Sequence, residues 1–96
     1  MKIEITGRNF TVSEHLKEFA NDKITKLLRY DKSISSARVI FLKESRAEKV
    51  ELIVNSKNNQ FITKCYSSVF EKTFVKAVDN IISQINKSKS KSKDKY

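Results

Sequence analysis

Ninety-six residues with 39% hydrophobic side chains can bury one core but not two. A formal net charge of +9 points to a polyanionic partner such as RNA, DNA or an anionic membrane surface, and no apolar run approaches the length of a membrane span. The single cysteine, Cys65, excludes an internal disulfide, and together with the single histidine, His15, it supplies too few ligands for a zinc site; one glycine and no proline exclude a glycine-rich phosphate loop.

The chain opens Met1-Lys2-Ile3-Glu4-Ile5, alternating polar and apolar residues without the apolar core of a signal peptide. With the lone cysteine, this predicts a reducing, cytoplasmic setting. Residues 2 to 6 read as a strand of period two, and Gly7 as the break that ends it. Ser13 is placed to cap a helix running to about Tyr30, whose apolar stripe is Leu16, Phe19, Ala20, Ile24, Leu27 and Leu28. Glu14, Glu18 and Asp22 come early in this helix and Lys23, Lys26 and Arg29 late. That order complements the helix dipole by about 0.3–1 kcal/mol per well-placed charge. A polar connector over Asp31 to Ser36 leads to strands at Ala37 to Lys43 and Glu48 to Asn55. A turn at Lys57-Asn58-Asn59 leads to a fourth strand at Gln60 to Tyr66. Ser68-x-x-Glu71 has the form of a capping box opening a second helix, with the stripe Phe70, Phe74, Ala77, Val78, Ile81, Ile82 and Ile85. A lysine-serine run then closes the chain, five lysines against one aspartate from Lys87 onward. It predicts a domain over residues 1–87 and a flexible, solvated tail over 88–96.

The order β-α-β-β-β-α predicts an α+β fold, with two parallel helices on one face of a four-stranded, mostly antiparallel sheet. The first two strands should be parallel, joined by a right-handed helical crossover. Chain direction alone then brings both helix C-termini to one end of the molecule. Lys23, Lys26 and Arg29 should converge there with Lys87 and Lys89 into one electropositive, phosphate-binding surface. Arg8, just after the first strand, is a further candidate phosphate contact. The aromatic residues are mostly core by spacing: Phe19, Phe70 and Phe74 on helix stripes, Phe41 and Phe61 in the sheet. Tyr30 is the aromatic expected to be partly exposed, and packing is favoured for it over base stacking. No pair of carboxylates has acid/base spacing, Cys65 has no identifiable activating histidine, and His15 stands alone near a helix start. No catalysis, cofactor or metal is expected.

These segments resemble the ribosome hibernation promoting factors, also called ribosome-associated inhibitor or protein Y. The resemblance lies in Ile3-x-Ile5-x-Gly7-Arg8-Asn9 with Val12-Ser13-Glu14-x-Leu16-Lys17-Glu18-Phe19. It continues in Lys23-Ile24-x-Lys26-Leu27-x-x-Tyr30 and in Lys76-Ala77-Val78-Asp79-x-Ile81-x-x-Gln84-Ile85-x-Lys87. It implies a β-α-β-β-β-α domain that binds the small ribosomal subunit and its rRNA near the decoding centre. There it would occlude the mRNA path and tRNA sites and silence idle ribosomes, without catalysis. It implies rRNA contacts at Lys23, Lys26 and Lys87, with Arg8 and Lys89 as weaker carry-overs, and gives Gln84 no derivable role. Ser83 stands where the family often has arginine, Glu71 where tyrosine is frequent and Val75 where aspartate is. The length matches a short form, which acts with a separate ribosome modulation factor or stabilises single ribosomes. The alternatives are a general double-stranded RNA-binding module without ribosome specificity, and a small RNA-acting enzyme relying on His15. The former usually carries a lysine-rich motif at its second helix start, where this chain reads Ser68-Val69-Phe70-Glu71-Lys72.

Overall fold

The pleat of a β-sheet sends alternate side chains to opposite faces, and four strands here align their apolar sets on the same side. In the computed structural model, β1 (Lys2–Arg8), β2 (Ser36–Lys43), β3 (Glu48–Asn55) and β4 (Gln60–Ser67) form one sheet in the order β1-β2-β3-β4. The pair β1–β2 is parallel, and β2–β3 and β3–β4 are antiparallel. Register lines up Ile3, Ala37, Val54 and Phe61 across one rung, Ile5, Val39, Leu52 and Thr63 across the next, and Gly7, Phe41, Val50 and Cys65 across a third. This face packs beneath α1 (Glu14–Thr25), which ends in a 3-10 turn (Lys26–Arg29), and α2 (Phe70–Asp94). The structure describes residues 1–94, with side chains through residue 89. The α+β architecture and the parallel crossover through α1 are those the sequence predicts.

Both helices bury the stripes expected of them. Leu16, Ala20, Ile24 and Leu27 meet Phe74, Ala77, Val78, Ile81 and Ile85 in one core. Aromatic rings cross it from element to element. Phe10, from the loop after β1, stacks on Phe70 at 4.8 Å; Phe41 of β2 lies 5.3 Å from Phe70 and 5.8 Å from Phe74; Phe19 of α1 stands edge-on to Phe74 at 6.1 Å. Such pairs add about 0.5–1.5 kcal/mol each beyond the area they bury. Ser13 caps α1 as its spacing predicts, its Oγ accepting from the Leu16 amide at 3.1 Å.

Two local expectations are corrected. Gly7 does not end β1 but lies inside it, and the chain turns two residues later at Asn9, whose φ is 68°. Glycine is required at position 7 by close approach: a Cβ there would lie 2.7 Å from the Phe10 carbonyl oxygen and 2.8 Å from Val12 Cγ2. The Ser68–Glu71 capping box does not form. Glu48, at the start of β3, reaches across to accept from the Phe70 amide at 2.8 Å, while Ser67 Oγ accepts from the Val69 amide at 3.3 Å. A carboxylate brought by the sheet thus satisfies a helix-start amide and complements the dipole. α2 runs on through the lysine-serine segment to Asp94, and Lys95 and Tyr96 lie outside the described residues. Lysine is a good helix former, and neither glycine nor proline interrupts the run.

A polar seam fastens α2 to β4 along the row 80, 84, 88. Asn80 Nδ2 donates to Thr63 Oγ1 at 3.1 Å, Gln84 Nε2 to the Ile62 carbonyl at 2.9 Å, and Asn59 Nδ2, from the β3–β4 hairpin, to Ser88 Oγ at 3.4 Å. Side chains four apart share a helix face, so the three bonds run along a single line. The seam gives Gln84 a structural role.

Two substitutions test this packing. Gly7→Ala should destabilise the domain by about 1–3 kcal/mol, because the new methyl meets the Phe10 backbone carbonyl as well as Val12 Cγ2. Thr73 is fully buried, with Oγ1 2.9 Å from the Val69 carbonyl oxygen, 3.1 Å from the Glu48 carbonyl oxygen and 2.5 Å from Ser67 Oγ. Thr73→Val keeps the shape and removes the hydroxyl, at an expected loss of about 1–3 kcal/mol. Urea unfolding monitored by circular dichroism reads both.

Candidate nucleic-acid interface

Chain direction determines where the cations gather. The α1 chain ends, through its 3-10 turn, at the end of the sheet where β2 and β4 begin, and α2 runs toward that same end. Lys23 is half-buried, its Nζ 5.6 Å from the centre of the Phe19 ring. Lys26 is exposed and pairs with Asp22 at 3.3 Å, and Arg29 is exposed one residue before Tyr30. Lys23, Lys26, Leu27, Arg29 and Tyr30 line a groove of about 170 Å³ whose far wall is Val78 and Ile82 of α2. Lys89 closes the same corner, its Nζ donating to the Tyr30 carbonyl oxygen. Lys23, Lys26, Arg29 and Lys89 therefore come together as the topology predicts.

Lys87 and Arg8 stand apart from that groove. Lys87 is exposed two residues beyond buried Ile85, hence on the outer surface of α2, at the same end but on another side. Arg8 lies at the opposite end of β1, on the sheet face away from the helices, in one rung with Leu42, Lys49 and Tyr66. Sequence reading passed over other cations that the fold adds. Lys2, Lys32 and Lys57 are exposed at the basic end, and the Lys57 amide donates to Ser33 Oγ at 3.3 Å, drawing the hairpin against the connector. Lys76 lies on the outer surface of α2. Lysines in loops carry no periodic signal, so only tertiary pairing reveals their neighbours.

The arrangement is suited to phosphate. The Lys26–Asp22 pair is solvent-exposed, and such pairs contribute about 0–1 kcal/mol, so a phosphate can replace the carboxylate at little cost. Tyr30 is 38% exposed at the groove rim, intermediate between the packed and stacking roles weighed for it. His15 is exposed on the first turn of α1. Cys65 is half-buried against Asn80, whose Nδ2 lies 3.3 Å from its Sγ. Among the described residues no cluster of three or more His, Cys, Asp or Glu is arranged to hold a metal, and no helix is long and apolar enough to cross a membrane.

Comparison with known proteins agrees with this fold. The family model described as Sigma 54 modulation protein / S30EA ribosomal protein matches residues 3–93. The chain is 27% identical over 95 residues to the ribosome hibernation promoting factor of Salmonella typhimurium, covering 99% of this chain and 96% of that protein. Two solved structures share its fold. A ribosomal subunit interface protein from Coxiella burnetii superposes with a TM-score of 0.87 at 22% identity, covering 94% of this chain and 99% of that one. The N-terminal domain of Thermus thermophilus Protein Y gives 0.83 at 19% identity, covering 91% and 98%.

Proposed function

The chain belongs to the Sigma 54 modulation protein / S30EA ribosomal protein family, and on that premise we propose that it is a ribosome hibernation factor. It binds the small ribosomal subunit near the decoding centre, occludes the mRNA and tRNA sites, and silences idle ribosomes in the cytoplasm. The observation that carries this reading is the basic corner where Lys89 of α2 is bonded to the Tyr30 carbonyl beside Lys23, Lys26 and Arg29. Cations from the two helices, some sixty residues apart in sequence, present one surface to the phosphates of folded rRNA. Lys87 extends that surface around α2. Inhibition on this reading is steric: phosphate contacts supply affinity, and the rigid sheet-and-helix body supplies the volume that excludes mRNA and tRNA. No bond is made or broken in such occlusion. We propose a separate ribosome modulation factor as a further partner.

Sedimentation with isolated small subunits tests the proposal. Wild-type protein should co-sediment, and prior occupancy by mRNA and initiator tRNA should displace it. Binding indifferent to occupancy, or equalled by an arbitrary RNA duplex, points instead to a general double-stranded RNA binder. A Lys23→Glu/Lys26→Glu/Lys87→Glu variant should remain folded, since none of the three side chains is in the core, yet lose co-sedimentation; full retention would remove these residues from the interface. With about six phosphates engaged, log affinity should fall against log salt with a slope of roughly −4 to −5.

A further inference from the structure

Among the described residues no element covers the sheet face turned away from the helices, and its chemistry differs from that of the basic corner. Across its rungs stand Arg8, Leu42, Lys49 and Tyr66, then Thr6, Ile40, Glu51 and Lys64, then Glu4, Arg38, Ile53 and Ile62. Among the described residues Tyr66, 70% exposed, is the most exposed large hydrophobic residue, and Ile62 is 46% exposed. A groove of about 330 Å³ runs over Ile40 and Leu42 between Arg8 and Tyr66, with Lys49 and Lys64 beside it.

We infer that this open face is a second RNA-binding surface, one that stacks an unpaired base on Tyr66 and holds the adjoining phosphates with Lys64 and Arg8. Three features select a single-stranded ribonucleotide segment as the occupant. A tyrosine ring lying free on a sheet is a stacking platform that any base can use. The rungs carry more cations than carboxylates, and one of the two carboxylates, Glu4, is already paired with Arg38 at 3.2 Å. Lys49 is paired with Glu44 at 3.1 Å, whereas Arg8 and Lys64 are in no ion pair among the described residues. Finally, lysine is depleted from the centres of protein–protein interfaces, and here lysines flank the groove itself. The face rests on the ribosome-binding reading only for its biological setting: a body lodged among rRNA segments meets RNA on both sides. Its chemistry is independent of the basic corner.

Fluorescence anisotropy with labelled oligoadenylate and oligouridylate of about eight nucleotides, and with an RNA duplex of about the same length, tests it directly. Tyr66→Ala should weaken single-strand binding roughly 5- to 100-fold, Tyr66→Phe should hold it within about twofold, and neither should change duplex binding. Arg8→Glu/Lys64→Glu should also weaken the single strand. Thermal unfolding of the variants, expected to match wild type at such exposed positions, separates lost contact from lost fold. Unchanged affinity in Tyr66→Ala, or an equal loss for single strand and duplex, overturns the proposal. Co-sedimentation with small subunits is read in parallel. A protein that sediments but shows no Tyr66-dependent binding refutes the sheet site alone; one with Tyr66-dependent binding that fails to sediment supports the sheet site and refutes the ribosome reading.

Discussion

The junction between the start of β3 and the start of α2 governs the rest of the structure. Glu48 accepts from the Phe70 amide through its side chain and from Thr73 through its backbone carbonyl, so one residue of the sheet grips the first turn of the helix at two points. Both groups are shielded from water, and leaving either without its partner costs about 1–3 kcal/mol, so the helix start has little freedom to shift. Phe70 and Phe74 follow directly and lock against Phe10, Phe41 and Phe19. Position and direction of α2 are set in its first turn, and everything it carries toward its C-terminus is aimed from there.

The consequence is a separation of surfaces. One side of the sheet is committed to both helices, and the polar row Asn80, Gln84 and Ser88 holds α2 along β4. That row also places a helix beside a strand that would otherwise present an open edge to other chains. With both helices on one side, the other side of the sheet stays open, and the helix ends gather their cations at one corner. The basic corner and the open face are thus two products of the same packing decision.

Much of this was legible because it is periodic. The alternation in Val50, Leu52 and Val54, and the three- and four-residue spacing in Leu16, Ala20, Ile24 and Leu27, specify element type, buried face and chain direction. From direction, the meeting of Lys23, Lys26, Arg29 and Lys89 follows. What escaped sequence reading depends on residues remote in the chain. Ser68 and Glu71 have the right local spacing for a cap, but Glu48, twenty-two residues earlier, reaches the Phe70 amide instead. Gly7 looks like punctuation and is in fact a gap left for the Phe10 carbonyl. Arg8 looks like a neighbour of the loop cations, but the strand continues through it and turns it onto the far face. Tyr66 had no distinguishing pattern; its exposure follows from falling on the outward parity of β4, which only the register determines.

On the proposed readings, the two surfaces would also differ in how they hold RNA. At the basic corner the groups that face solvent are mainly charges on flexible stems, which respond to phosphate density and to salt with little regard for base identity or pairing. On the open face a ring fixed by the β4 backbone offers a flat apolar area, usable only by a base that is not already stacked in a helix. As proposed, charge would draw the domain to folded RNA from a distance, and a stacking contact would distinguish an unpaired segment once it is near. A protein that needs to stay on one RNA site while resisting capture by every duplex benefits from dividing these tasks between separate faces, because adding charge at the corner alone strengthens right and wrong complexes together.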